Sequence, residues 1–113
     1  MTPKRSGSEA PLSYNGALVL QAIAQGHRYG FEIMHQAHLP SGTVYPLLRR
    51  LEGAGMVASR WEEAEDAHDE GRPPRRYYTV TPAGRAALAE ARERVVAQQA
   101  LFGGMTPADG DPR

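Results

Sequence analysis

The chain has 113 residues, with 13 Lys and Arg balanced by 13 Asp and Glu, and it contains no cysteine. That length holds one domain of about 80 to 90 residues once the Pro-, Gly-, Ser- and Asp-rich ends are set aside. The lack of cysteine excludes a disulfide framework, a thiolate metal site and a thiol nucleophile. Zero net charge excludes a global attraction to polyanions, so a nucleic-acid reading must rest on local clustering.

Residues 1–10 hold Lys4, Arg5, serines, glycine and proline with few apolar side chains, and are expected to form a disordered arm. The longest apolar run, Ala17 to Ile23 interrupted by Gln21, is too short to cross a membrane. The first ten residues lack the apolar centre of a signal peptide, so a cytoplasmic location is expected. Ser13 is a candidate N-cap for a first helix reaching Gln25, with Tyr14, Ala17, Leu18, Ala22 and Ile23 at helical spacing and Gly26 as its stop. A short second helix follows, in which Tyr29, Ile33 and Ala37 recur at i, i+4 and i+8.

The stretch Leu39 to Val57, LPSGTVYPLLRRLEGAGMV, predicts a third helix. Val44, Leu47, Leu48 and Leu51 fall at i, i+3, i+4 and i+7 and form a buried stripe. Gly42, Thr43, Tyr45, Pro46, Arg49 and Arg50 occupy the other side, a set of donors and cations suited to an anionic, grooved partner. Thr43 is the preferred N-cap, which leaves Pro46 in the first turn; Ser41 is the alternative, and Gly55 supplies the C-terminal turn. The few residues between the second and third helices imply a steep crossing, as in a helix-turn-helix.

After Gly55 the period changes to two. Val57, Ser59 and Trp61 alternate with Ala58, Arg60 and Glu62 in one strand, and Arg76 to Val80 forms another, so the two pair as a hairpin. Their connection runs acidic from Glu62 to Glu70 and basic from Arg72 to Arg76. The acidic part reads as a solvated loop without the spacing of a calcium site. Of Tyr77 and Tyr78, one faces inward, and sequence leaves open which. Trp61 reads as a core anchor rather than as the wall of an effector pocket. Thr81 caps a last helix that begins at Pro82, passes Leu88, Ala91, Val95, Gln98 and Phe102, and stops at Gly103-Gly104. Residues 104–113 are expected to be a disordered tail. The fold class is therefore mainly α with a small β-hairpin.

Two segments, SGTVYPLLRRLEGAGMV and GRPPRRYYTVTPAGRAAL, resemble in order the winged helix-turn-helix of PadR-type transcriptional regulators, and weaker similarity includes Tyr29-Gly30-Phe31-Glu32-Ile33. The resemblance covers roughly Leu12 to Glu90. It implies a winged-helix DNA-binding domain over 11–81, a dimerisation helix over 82–103, and a homodimeric repressor of a double-stranded operator. The third helix would enter the major groove and the hairpin would lie along the backbone. Some members of that family respond to small aromatic ligands, so a small aromatic effector is among the expected partners.

From the residues themselves, Arg49, Arg50, Arg72, Arg75 and Arg76 are candidates to neutralise phosphates. Arg49 is the first choice for guanine N7 and O6, and Thr43 and Tyr45 for phosphates near the helix start. Gly71 turns the wing while Pro73 and Pro74 stiffen it, presenting Arg72, with Arg75 as a second phosphate candidate. Gly42 and Pro46 complete the expected DNA-facing set, and Leu88, Ala91, Val95 and Phe102 the expected dimer stripe. The histidines at 27, 35, 38 and 68 lack a third ligand and read as solvated, so no metal or cofactor is expected. No nucleophile sits beside a base, so the chain reads as a non-enzyme. The rival reading is a winged helix that docks a protein partner without sequence-specific DNA binding.

Overall fold

Three helices, a hairpin and a long last helix account for most of residues 12–103, the part described by the computed structural model. The arm at 1–10 and the tail at 104–113 lie outside the described residues. Helix α1 (Tyr14–Ala24) starts where the Ser13 hydroxyl accepts the Gly16 N–H at 3.0 Å, and Gly26 at φ 104° turns the chain away. It is followed by α2 (Gly30–Ala37), α3 (Ser41–Gly53), β1 (Val57–Trp61), α4 (Ala64–Asp69), β2 (Arg76–Val80) and α5 (Pro82–Gly103).

The expected stripe of α3 is the buried one: Val44, Leu47, Leu48 and Leu51 pack with Val19, Leu20 and Ile23 of α1 and Ile33 of α2. Val57 and Tyr78 of the hairpin and Leu88 of α5 close the same core. Ala22 and Ile23 of α1 are buried as expected, but Val19 and Leu20 are fully buried as well, whereas Tyr14 is 66% exposed. Tyr14 sits in the first turn, at the surface beside the start of α3.

The start of α3 is also corrected. The N-cap is Pro40, and neither Ser41 nor Thr43 caps with its side chain. The Pro40 carbonyl accepts the N–H groups of Thr43 and Val44 at 2.9 and 3.0 Å, so backbone does the work expected of a hydroxyl. Pro46 therefore lies inside the helix, and the N–H it lacks would have met the carbonyl of Gly42, an exposed residue where water can substitute. The chain gains the room to start early because His38 adopts a left-handed conformation (φ 57°) directly after α2. Gly55, at φ 78°, ends α3 as the sequence predicts.

The strands pair antiparallel, with Val57 opposite Val80 and Trp61 opposite Arg76. The link between α1 and α2 joins them: the Tyr78 N–H donates to the Arg28 carbonyl at 2.7 Å and Tyr29 bridges Tyr77. Tyr78 is the inward tyrosine, at 7% exposure. Trp61 is not a core anchor but 60% exposed, since β1 runs past the end of the core before it reaches that residue. The acidic segment is not a loop throughout: it folds into α4, which buries Ala67 completely. Within α5, Leu88 and Ala91 are 4% and 3% exposed inside this protomer, so they are core rather than part of a dimer stripe. Arg92 donates to the Gln21 side chain and Arg94 to the Leu12 carbonyl, which binds this part of α5 to α1.

Candidate nucleic-acid interface

The stripe that buries one side of α3 leaves the other side outward, and there the two arginines part company. Arg49 lines an open cleft of about 860 Å³ between α3 and the wing, shared with Phe31, Tyr45, Trp61, Pro74 and Arg75. Arg50 instead lines a smaller depression with Tyr14, Asn15, Gly42, Thr43 and Pro46, where the starts of α1 and α3 converge. Among the described residues neither guanidinium has a hydrogen bond or ion pair, which fits groups kept for an external anion. The dipole of a helix favours negative charge at its start, and both α1 and α3 begin beside this depression.

Tyr45 is 42% exposed, yet its ring is seated. It crosses the first residue of α2, and a Cβ at Gly30 would lie 2.6 Å from Tyr45 Cζ and 2.7 Å from Cε1, closer still to the hydroxyl. The absence of a side chain at Gly30 is what lets the hydroxyl end of the Tyr45 ring pack against the start of α2.

The wing departs from the expected arrangement. Arg72 is not presented to solvent: its Nη1 and Nη2 donate to the two Glu62 carboxylate oxygens at 2.6 and 2.9 Å, while its Nε is buried without a hydrogen-bond partner among the described residues. The Arg72 guanidinium beside it holds the Glu62 carboxyl down to about 2, against an ordinary 4.5. Arg76 is likewise occupied, donating to Ser59 Oγ at 2.9 Å and to Glu52 at 3.4 Å. Arg75 keeps its side chain free of hydrogen bonds and ion pairs among the described residues, and lies 4.0 Å over the Tyr29 ring.

Three contributors escaped the sequence reading. Arg28 and Arg60 each lie 5.3 Å from the Tyr77 ring centre, and Tyr77 meets Tyr29 edge to face at 5.9 Å. Glu62 is the third. The register sets Arg60 opposite Tyr77, so a correct register assignment would have found that pair from alternation alone. Arg28 comes from a separate link, and no local pattern announces it. Among the described residues no group of three or more His, Asp or Glu is placed to hold a metal ion, and no helix is long and apolar enough to cross a membrane.

Comparison with known proteins gives a consistent picture. The model of the transcriptional regulator PadR-like family matches residues 19–90. A transcriptional regulator of Mycobacterium tuberculosis is 40% identical over 91 residues, covering 79% of this chain and 71% of that protein. Among solved structures, a PadR family transcription regulator from Clostridium difficile superposes with a TM-score of 0.71 at 22% identity, covering 81% of this chain and 97% of that one. BpsR of Bordetella bronchiseptica, whose DNA binding is regulated by 6-hydroxynicotinic acid, superposes with a TM-score of 0.69 at 22% identity, covering 96% and 74%. At such identities the two structures speak for a shared winged-helix fold.

Proposed function

The chain belongs to the PadR-like family of transcriptional regulators, and on that premise we propose that it binds a specific duplex operator as a homodimeric repressor in the cytoplasm. The observation that carries the reading is the outward face of α3, where Arg49 and Arg50 stand without internal partners above a helix whose other face is core. Arg49 reads guanine in the major groove, and Arg50, Thr43 and Tyr45 hold phosphates, with Gly42 and Pro46 allowing close approach of the backbone. Dimerisation falls to the far end of α5, where Val96, Leu101 and Phe102 are 63%, 76% and 65% exposed and Val95 is half-buried. An apolar surface at the end of a 22-residue helix suits a two-fold partner.

A mobility-shift titration of the DNA upstream of the chain's own gene, with and without random competitor, tests this reading. A shift that survives excess competitor supports it, and a shift abolished as easily as that of random DNA favours a protein-docking role instead. A second reading of the cleft rests on Phe31, Tyr45 and Trp61 lining it together: a small aromatic effector held there would contend with DNA for the same surface. Quenching of Trp61 fluorescence by the effector, reversed by operator DNA, is the expected signature.

A further inference from the structure

One carboxylate closes the wing. Glu62 directly follows β1 with its side chain only 11% exposed, and the return limb of the wing converges on it. Beyond the two bonds from Arg72, it accepts the Arg75 backbone N–H at 3.1 Å and lies 3.5 Å from the Tyr77 hydroxyl, while its own N–H donates to the Arg75 carbonyl at 2.7 Å. Among the described residues no other carboxylate takes two side-chain bonds from one arginine. Arg72 is held at its backbone too, because its N–H donates to Ala67 at the end of α4. It therefore bolts α4 to the end of β1. Pro73 and Pro74 then carry the chain stiffly to Arg75, whose guanidinium rests on Tyr29 and lines the same cleft as Arg49.

We propose that Glu62 is a positioning residue for DNA binding, holding Arg72 inside the wing so that Arg75 is the cation the wing presents to the phosphate backbone. The inference rests on the DNA-binding reading of the cleft. For Arg72 to reach a phosphate it must abandon Glu62, which exchanges one ion pair for another and leaves a bare carboxylate beside the DNA backbone. Arg75 has only to leave an aromatic ring. Counting charges on the return limb gives the same result: with Arg72 neutralised by Glu62 and Arg76 paired with Glu52, residues 72–76 offer one cation without an ion pair, Arg75, among the described residues.

The test uses the full chain and two duplexes, the DNA upstream of its gene and a random sequence, titrated by fluorescence anisotropy over a range of salt. Arg75→Ala is expected to weaken both duplexes by the same factor and to make the slope of log affinity against log salt shallower by about one unit, with Arg75→Lys restoring the slope. Arg72→Glu is expected to weaken both duplexes and to speed amide hydrogen exchange across 62–76. The exchanged pair, Glu62→Arg with Arg72→Glu, is expected to restore slow exchange and binding to within about threefold of the parent, which by the tenfold-per-1.4 kcal/mol relation is about 0.7 kcal/mol. An Arg75→Ala chain with an unchanged salt slope overturns the inference, as does an exchanged pair that regains slow exchange and still binds as weakly as Arg72→Glu. Glu62→Gln, which keeps the side chain's shape, supplies the same comparison of exchange and affinity if the exchanged pair does not fold. A parent that binds neither duplex overturns the DNA reading itself, whereas a parent that binds while the Arg75 variant is indistinguishable from it overturns only the role of Arg75 and Glu62.

Discussion

Gly84 is where α5 touches the hairpin, and adding one methyl group there tests how the last helix is attached. A Cβ at this position would lie 2.8 Å from Val80 Cγ1 and 2.9 Å from the Met56 carbonyl carbon, with the Met56 oxygen closer still. Two of these three atoms are backbone, in the segment whose carbonyl also accepts the Thr81 N–H at 3.0 Å. No side-chain rotation relieves the overlap, so α5 must lift off or the α3–β1 turn must move. Overpacking of this kind costs about 1–3 kcal/mol or more, and a glycine-to-alanine change inside a helix returns about 1 kcal/mol through propensity. Because the clash is with backbone the upper end applies, and lifting α5 also loosens Leu88 in the core. We expect Gly84→Ala to be destabilised by about 2 kcal/mol net, which lowers the melting temperature of a domain this size by roughly 8–16 °C. Circular dichroism melts of the two chains measure it. A variant that melts at or above the parent, as propensity alone would dictate, refutes the close approach of α5 to the α3–β1 turn.

Leu48→Ala, at a side chain 1% exposed in the centre of the core, is expected to cost about 2–5 kcal/mol, whereas Arg49→Ala on the adjoining outward position should melt within about 0.5 kcal/mol of the parent. Denaturant melts that rank them the other way would reverse the two faces of α3. Because the folded Glu62 carboxyl titrates near 2 rather than 4.5, its contribution to stability is complete above pH 4.5 and is lost as the pH falls towards 2. The melting gap between the parent and Glu62→Gln should therefore narrow over that window, and a gap independent of pH would contradict the ion pair. Deleting 96–113 removes exposed Val96, Leu101 and Phe102 but spares Leu88 and Ala91, so light scattering should find a folded monomer; a truncated chain that remains a dimer places the interface elsewhere.

The stripe of α3, the hairpin and the capped start of α5 were legible because each is encoded by local spacing: Leu47, Leu48 and Leu51 by helical period, Arg76 to Val80 by β-branched and aromatic residues, Thr81-Pro82 by capping. The errors have a common source in contacts between distant segments. Trp61 reads as an anchor in sequence because composition says nothing about how far β1 outruns the core. Leu88 and Ala91 read as a dimer stripe in sequence because local spacing cannot reveal that α5 folds back on α1, where Leu88 joins the core and Arg92 bonds Gln21. Arg72 was expected to reach outward because its partner Glu62 is ten residues away across a segment that looked unstructured and proved to contain α4. Charge composition identified which residues could meet a phosphate, and only three-dimensional pairing sorts Arg49, Arg50 and Arg75 from Arg72 and Arg76.

Guanine N7 methylation interference on the upstream DNA bears most directly on the claim that α3 reads the major groove. Methylation there blocks the acceptor a guanidinium would use without altering the minor groove. Interference is expected at two clusters of guanines about one helical turn apart, with at least one guanine in each losing its effect in Arg49→Ala. Binding that is indifferent to N7 methylation, or a pattern that Arg49→Ala leaves unchanged, would contradict it.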